Sequence, residues 1–189
     1  MSNDLKFEEF KKAALRTESP TTVANLDVPN VKTLLRLFIT VGTLLDYTKK
    51  GVFYNKYQKY DENFIELVNG LNDLVLQLAV KETDRKEVSD INLRVFHGLL
   101  GSMTESAELG MILLKYLETG EIDKANVAEE YGDGDWYKAV TFDELGLSET
   151  VSRQNVIDKL LVRFPIEYTD DAAANRDLDA ERVKLEQNI

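Results

Sequence analysis

Apolar residues recur along this chain with a helical period, and only three prolines (Pro20, Pro29, Pro165) interrupt it. Strand-like alternation is nearly absent. A sequence patterned this way buries stripes rather than sheet faces, so the expected fold class is all-α, a helical bundle. Six helices can be placed. Residues 5–15 read as a short amphipathic helix, ended by the polar stretch 17–22. Residues 31–49 form a longer one, with Leu34, Leu35, Leu37, Phe38, Val41, Leu44 and Leu45 as a wide apolar face. Asp61 is placed to cap a third, running to about residue 81, and Asp90 a fourth, over 91–117. Asp123 opens a fifth, to about residue 140. Ser148 opens a sixth, over 149–163, which Pro165 stops. The charged tail, 170–187, is expected to be helical.

At 189 residues and 43% hydrophobic content the chain can build one domain with a real core. Its formal charge of −11 argues against a polymeric nucleic-acid partner held on a basic face. It leaves room for a nucleotide held through metal ions. With no cysteine, disulfides, thiolate metal sites and cysteine nucleophiles are excluded. The first residues lack the apolar run of a signal peptide, and no uninterrupted apolar stretch approaches 18 residues. A cytoplasmic protein with no membrane partner is the expectation.

Two short phrases carry the chemistry. Glu105 and Glu108 lie in Thr-Glu-Ser-Ala-Glu-Leu, and Glu130 and Asp133 in Glu-Glu-Tyr-Gly-Asp. Each pair is spaced i, i+3, which puts both carboxylates on one helix face a turn apart. Like charges so placed repel. A helix hairpin that brings the two pairs together would gather four negative charges in one pocket, and a cation would relieve them. Oxygen-only ligands suit hard ions, so Mg²⁺ is expected, with Mn²⁺ as a substitute. The neighbours of these acids are apolar (Leu109, Ile112, Leu113, Trp136, Tyr137), and an unpaired charge there is costly.

A weak internal repeat accompanies this pattern. Shifted by about 65 residues, Thr40-Val-Gly-Thr43-Leu-Leu-Asp falls on the first acidic phrase. Farther on, Asn63-Phe-Ile-Glu66-Leu-Val-Asn echoes the segment from Asn126. Glu105, Glu108, Glu130 and Asp133 then face Thr40, Thr43, Leu67 and Gly70, so residues 24–90 read as a metal-free hairpin, a candidate degenerate copy.

Taken together, these residues resemble the all-α nucleoside triphosphate pyrophosphohydrolases, the MazG-like superfamily that includes phosphoribosyl-ATP pyrophosphohydrolase, and its phage-type members in particular. The hallmark E-x-x-E … E-x-x-D is met by Glu105, Glu108, Glu130 and Asp133. The lead-in helix from His97, the second motif with Trp136 and Tyr137, the helix carrying Asn155, Lys159, Arg163 and Pro165, and the tail Ala174-Asn-Arg-Asp-Leu178 are similar too. The resemblance covers 92–186. It divides a single domain into an N-terminal helix and linker (1–23), the metal-free hairpin (24–90), catalytic helices (91–165) and a charged tail (166–189).

The resemblance implies cleavage of a nucleoside triphosphate between the α and β phosphates, giving a monophosphate and pyrophosphate. In that reading Glu105, Glu108, Glu130 and Asp133 are the catalytic metal ligands, and one of them or Glu129 accepts a water proton. Asn155, Lys159, Arg163 and Tyr137 are the expected phosphate contacts, and His97 a candidate near base or sugar. A homo-oligomer, dimer or tetramer, is implied, in the host cytoplasm if the chain is phage-encoded. The basic, aromatic segment 49–56 is expected as a loop that reaches the nucleotide or merely lies on the surface. Two other readings stay open: the same fold acting on a phosphoribosyl-nucleotide or an alarmone, and a non-catalytic helical protein that binds nucleotide or a partner. The pattern departs from the family at Thr104, where an extra acid is common, and at Gly134 and Asp135, which are usually apolar. Glycine inside a helix costs about 1 kcal/mol, so a bend after Asp133 is expected.

Overall fold

The structure is a computed structural model that describes residues 6–18, 24–54, 62–78, 86–88 and 90–187. Eight α-helices occur among these residues, beside one short two-stranded ladder, so the fold is all-α. The chain divides into two compact units: 23–90, and 1–22 together with 91–189. The sequence reading has a single domain, with its hairpin insert at 24–90.

The smaller unit is a helix hairpin closed by its ends. β1 (Ala24–Leu26) leads into α2 (Val28–Tyr54), and α3 (Glu62–Gln77) is followed by β2 (Lys86–Val88). β1 and β2 pair antiparallel, with Asn25 opposite Glu87. Three-residue strands carry too little alternation to register in a sequence pattern, so this ladder is a feature the helical reading misses. Asp27 caps α2: its carboxylate accepts from the Asn30 backbone N–H (3.1 Å) and side-chain amide (2.9 Å). Pro29 sits in the first turn, where its missing N–H would have had no helical partner. The helix therefore starts earlier than residue 31, and it continues through the first part of the expected 49–56 loop. The rest of that loop, and the expected cap Asp61, lie outside the described residues.

Facing rows on α2 (Thr33, Leu37, Leu44) and α3 (Phe64, Leu67, Leu71, Leu74) are buried or half-buried. Three threonine hydroxyls of α2 turn back onto their own helix: Thr33 donates to the Pro29 carbonyl (3.1 Å), Thr40 to the Arg36 carbonyl (2.8 Å) and Thr43 to the Ile39 carbonyl (2.9 Å). Val28–Asp46 is 19 residues with a mean hydropathy of 1.3, long and apolar enough by length and composition to cross a membrane. An uninterrupted-run criterion does not pick out this segment. Averaging over the segment tolerates Lys32, Arg36 and the threonines that a run does not.

The larger unit is built on α4 (Leu93–Thr119) and α5 (Lys124–Leu145), an antiparallel pair joined by a four-residue turn. Gly120 ends α4 in the left-handed region (φ 74°), its N–H donating to the Tyr116 carbonyl at 2.8 Å. Asp123 caps α5 as expected, through the N–H groups of Ala125 and Asn126. At the other end of α4 the cap is Asn92 and not Asp90: its side chain accepts from the Val95 N–H, and its amide donates to Glu144 at 2.6 Å. α5 runs as one helix past Gly134, with no interruption after Asp133.

The core lies along α5, where Ala139 and Val140 are fully enclosed. α1 (Phe7–Ala14) packs on this helix, with the Phe7 ring edge-on to Phe142 at 6.1 Å. Trp136 is half-buried. Its indole N–H donates to Thr17 Oγ1 (2.8 Å) and the Ala14 carbonyl (3.2 Å), fastening the 3₁₀ turn Leu15–Thr17 to α5. Arg94 continues this fastening, bidentate to Glu18 and paired with Asp143 and Glu144. Asp135 pairs with Lys138.

Gly146 (φ 63°) ends α5, and Ser148 caps α6 (Glu149–Arg163) as expected. The tail holds two short helices, α7 (Asp170–Ala174) and α8 (Leu178–Leu185), not one. The break falls where Asp177 becomes the cap of α8 by accepting from the Ala180 N–H.

Candidate metal centre

One stripe of α4 carries Gly98, Gly101, Glu105 and Glu108, and one stripe of α5 carries Glu130, Asp133, Tyr137 and Thr141. Steps of three and four residues keep each set on a single face, and the hairpin turns the two faces together. At one end the stripes close without side chains on α4. A Cβ on Gly98 would meet the Thr141 hydroxyl and lie 2.9 Å from the Tyr137 carbonyl, and one on Gly101 would land on the Tyr137 ring. One turn farther along, the glycines give way to acids.

There Glu105, Glu130 and Asp133 converge, each offering a carboxylate oxygen within 4.8 Å of the others. Glu105 and Glu130 are buried and Asp133 is exposed, so the cluster has a closed back and an open front. Thr104 donates to the Gly101 carbonyl (2.7 Å), and its hydroxyl lies 3.3 Å from Glu105 Oε1. Glu108 is exposed and stands outside this group of three, although its charge acts on it.

Electrostatics record the crowding. Glu130 is pushed up to about 7, first by desolvation, then by a hydrogen bond shared with Glu105 and by the charges of Glu108, Glu105 and Glu129. Tyr137 is also raised, by desolvation and then by Glu105, Asp133 and Glu108, so its phenol faces the same negative field. All donors are carboxylate oxygens, the ligand type of hard cations, so the cluster could hold a metal ion.

The four remaining expected site residues fall in different settings. His97 is exposed, its ring edge-on to Tyr137 (5.5 Å) and Trp136 (5.7 Å), beside the glycine end of the stripe. Asn155 is buried, and its amide donates to the backbone carbonyls of Leu185 (3.2 Å) and Gln187 (2.7 Å). Both its donors are thus spent on the C-terminal tail. Arg163 is bidentate to Glu181, which Arg176 also grips, so the phosphate contact expected of it competes with a buried ion pair. Lys159 is half-buried and forms no ion pair with the described residues.

Sequence reasoning passed over Gly98 and Gly101. Their signal was present as two small residues extending the acidic stripe by i−4 and i−7 from Glu105. Comparison with protein-family models, curated proteins and solved structures yields no match.

Proposed function

We propose that this chain is a metal-dependent nucleoside triphosphate pyrophosphohydrolase that splits the α–β phosphate bond. The observation that carries this reading is the convergence of Glu105, Glu130 and Asp133 on one point between α4 and α5. It is joined by the sequence resemblance of the same residues to the E-x-x-E … E-x-x-D pattern. Bound Mg²⁺ or Mn²⁺ would offset the negative charge of a triphosphate and lower the pKa of water.

The protein groups have distinct parts in this proposal. Glu105, Glu130 and Asp133 hold the cation. Glu108, a turn beyond Glu105 on the same stripe, adds charge at the exposed rim. The Tyr137 phenol, kept protonated by desolvation and then by its acidic neighbours, donates a hydrogen bond to a phosphate oxygen. Lys159 supplies a cation to the leaving pyrophosphate. A carboxylate of the group, or Glu129 beside it, takes the proton of the attacking water.

The deciding experiment measures pyrophosphate release from ribo-, deoxyribo- and modified triphosphates with Mg²⁺, beside Glu130→Gln protein. Release by the wild type and at least 100-fold loss in the variant is the expected result, on the scale of one lost electrostatic contact in a reacting site (roughly 10²–10³). A folded wild type that releases no pyrophosphate from any of them overturns the proposal.

A further inference from the structure

We infer that Gly101 and Tyr137 form a spacer that sets how far Glu105 stands from Glu130 and Asp133, and that both are positioning residues for the cation. The inference rests on the metal reading above. Gly101 precedes Glu105 by one helical turn, and Tyr137 follows Asp133 by one turn. The bare glycine and the ring face meet about 6 Å along the helix axes from the carboxylates, four residues at 1.5 Å each. That contact has no slack, because a methyl at Gly101 would occupy the space of the ring. Gly98 repeats the arrangement one turn farther on, against the Tyr137 carbonyl and Thr141.

The other glycine of α4 behaves differently. Gly110 has nothing within 4 Å of where its Cβ would sit. Glycine is disfavoured inside a helix, and at Gly98 and Gly101 the close approach of α5 supplies the reason for it. Moving α4 outward by the radius of a methyl group would open the carboxylate triangle. Mg²⁺ and Mn²⁺ need short oxygen bonds in near-ideal octahedral geometry, whereas Ca²⁺ accepts longer bonds and a looser cage. Widening the spacer should therefore change which ion is held, beyond how tightly.

The test is Mn²⁺ and Ca²⁺ binding to the full chain by calorimetry, with helix content followed by circular dichroism. Gly101→Ala should bind Mn²⁺ at least tenfold more weakly and Ca²⁺ by a clearly smaller factor. Gly110→Ala should match the wild type. On a Tyr137→Ala background, adding Gly101→Ala should cost nothing further, because the ring it would strike is gone. Equal Mn²⁺ affinity in Gly101→Ala and wild type, or the same loss on both backgrounds, overturns the spacer alone. If Gly101→Ala by itself loses helix content, the pair on the Tyr137→Ala background decides. Wild-type protein whose Mn²⁺ binding is nil, or unaltered by Glu130→Gln, overturns the metal reading and the spacer with it.

Discussion

In the free protein Glu130 keeps its proton up to about 7, while an unfolded chain releases it near 4.5. Between those values the folded state holds a proton that the unfolded state has lost, so this residue makes stability fall as pH rises through the window. A cation reverses the preference by taking the proton's place. Mn²⁺ affinity should accordingly fall about tenfold for each pH unit below 7, with one proton released per ion bound. Calorimetry in buffers of different ionisation enthalpy counts that proton. Glu130→Gln should remove the slope along with much of the affinity.

Glu181 titrates the opposite way. Arg163 and then Arg176 hold it down to about 2 through hydrogen bonds, against desolvation. Its contribution to stability is present above 4.5 and fades as pH drops toward 2. The two windows meet near 4.5, so acid unfolding should separate them. Glu181→Gln leaves Arg163 facing a neutral amide, with Arg176 half in solvent. The expected cost is about 2 kcal/mol at pH 7, read from urea unfolding.

Among the elements, α6 is where stability and function can be told apart. Asn155 ties α6 to the tail through two carbonyls, whereas Lys159, one turn on, has an ammonium that pairs with none of the described residues. Asn155→Ala should therefore lower stability by about 1–3 kcal/mol, from two lost hydrogen bonds at about 0.5–1.5 kcal/mol each, with little change in KM for a triphosphate. Lys159→Met should keep its stability and raise KM. Equal KM effects from both would return Asn155 to the phosphate site.

The same helices explain what was legible in the sequence. Where a cap and a periodic apolar stripe coincide, as at Asp123 and Ser148, boundaries could be read directly. Asp90 was misleading because Asn92, two residues on, also caps and gains a second bond to Glu144, a partner 52 residues away. The four acids stood out through spacing alone. The three-way convergence that leaves Glu108 at the rim did not, because it depends on how α4 and α5 are rotated against each other. At Gly98 and Gly101 α5 approaches α4 with no side chain between them, a contact that residue spacing does not reveal.

For the whole molecule, the exposed apolar surface is the outstanding quantity. On α2, Leu34, Phe38, Val41 and Leu45 follow one another at steps of four, three and four, and each is 40–63% exposed. On α3, Ile65, Val68 and Val75 are exposed to a similar degree. This row is distinct from the one that joins the two helices, since Thr33, Leu37 and Leu44 occupy that seam. A two-helix hairpin with apolar rows on two faces has buried only one of them, and the second, at steps of four, three and four, keeps to a single helix face of the kind that packs against another helix. Self-association through this row is the expected outcome, in keeping with the homo-oligomer implied by the resemblance. Sedimentation equilibrium should give a mass at least twice 21.5 kDa at micromolar concentration. Replacing Phe38 and Leu45 together by Asp should shift it to the single-chain value with helix content preserved. A wild type that sediments as a single chain contradicts the prediction. A double variant that stays associated moves the interface to other apolar positions, of which Met111, Leu114 and Leu117 on α4 are the next to substitute.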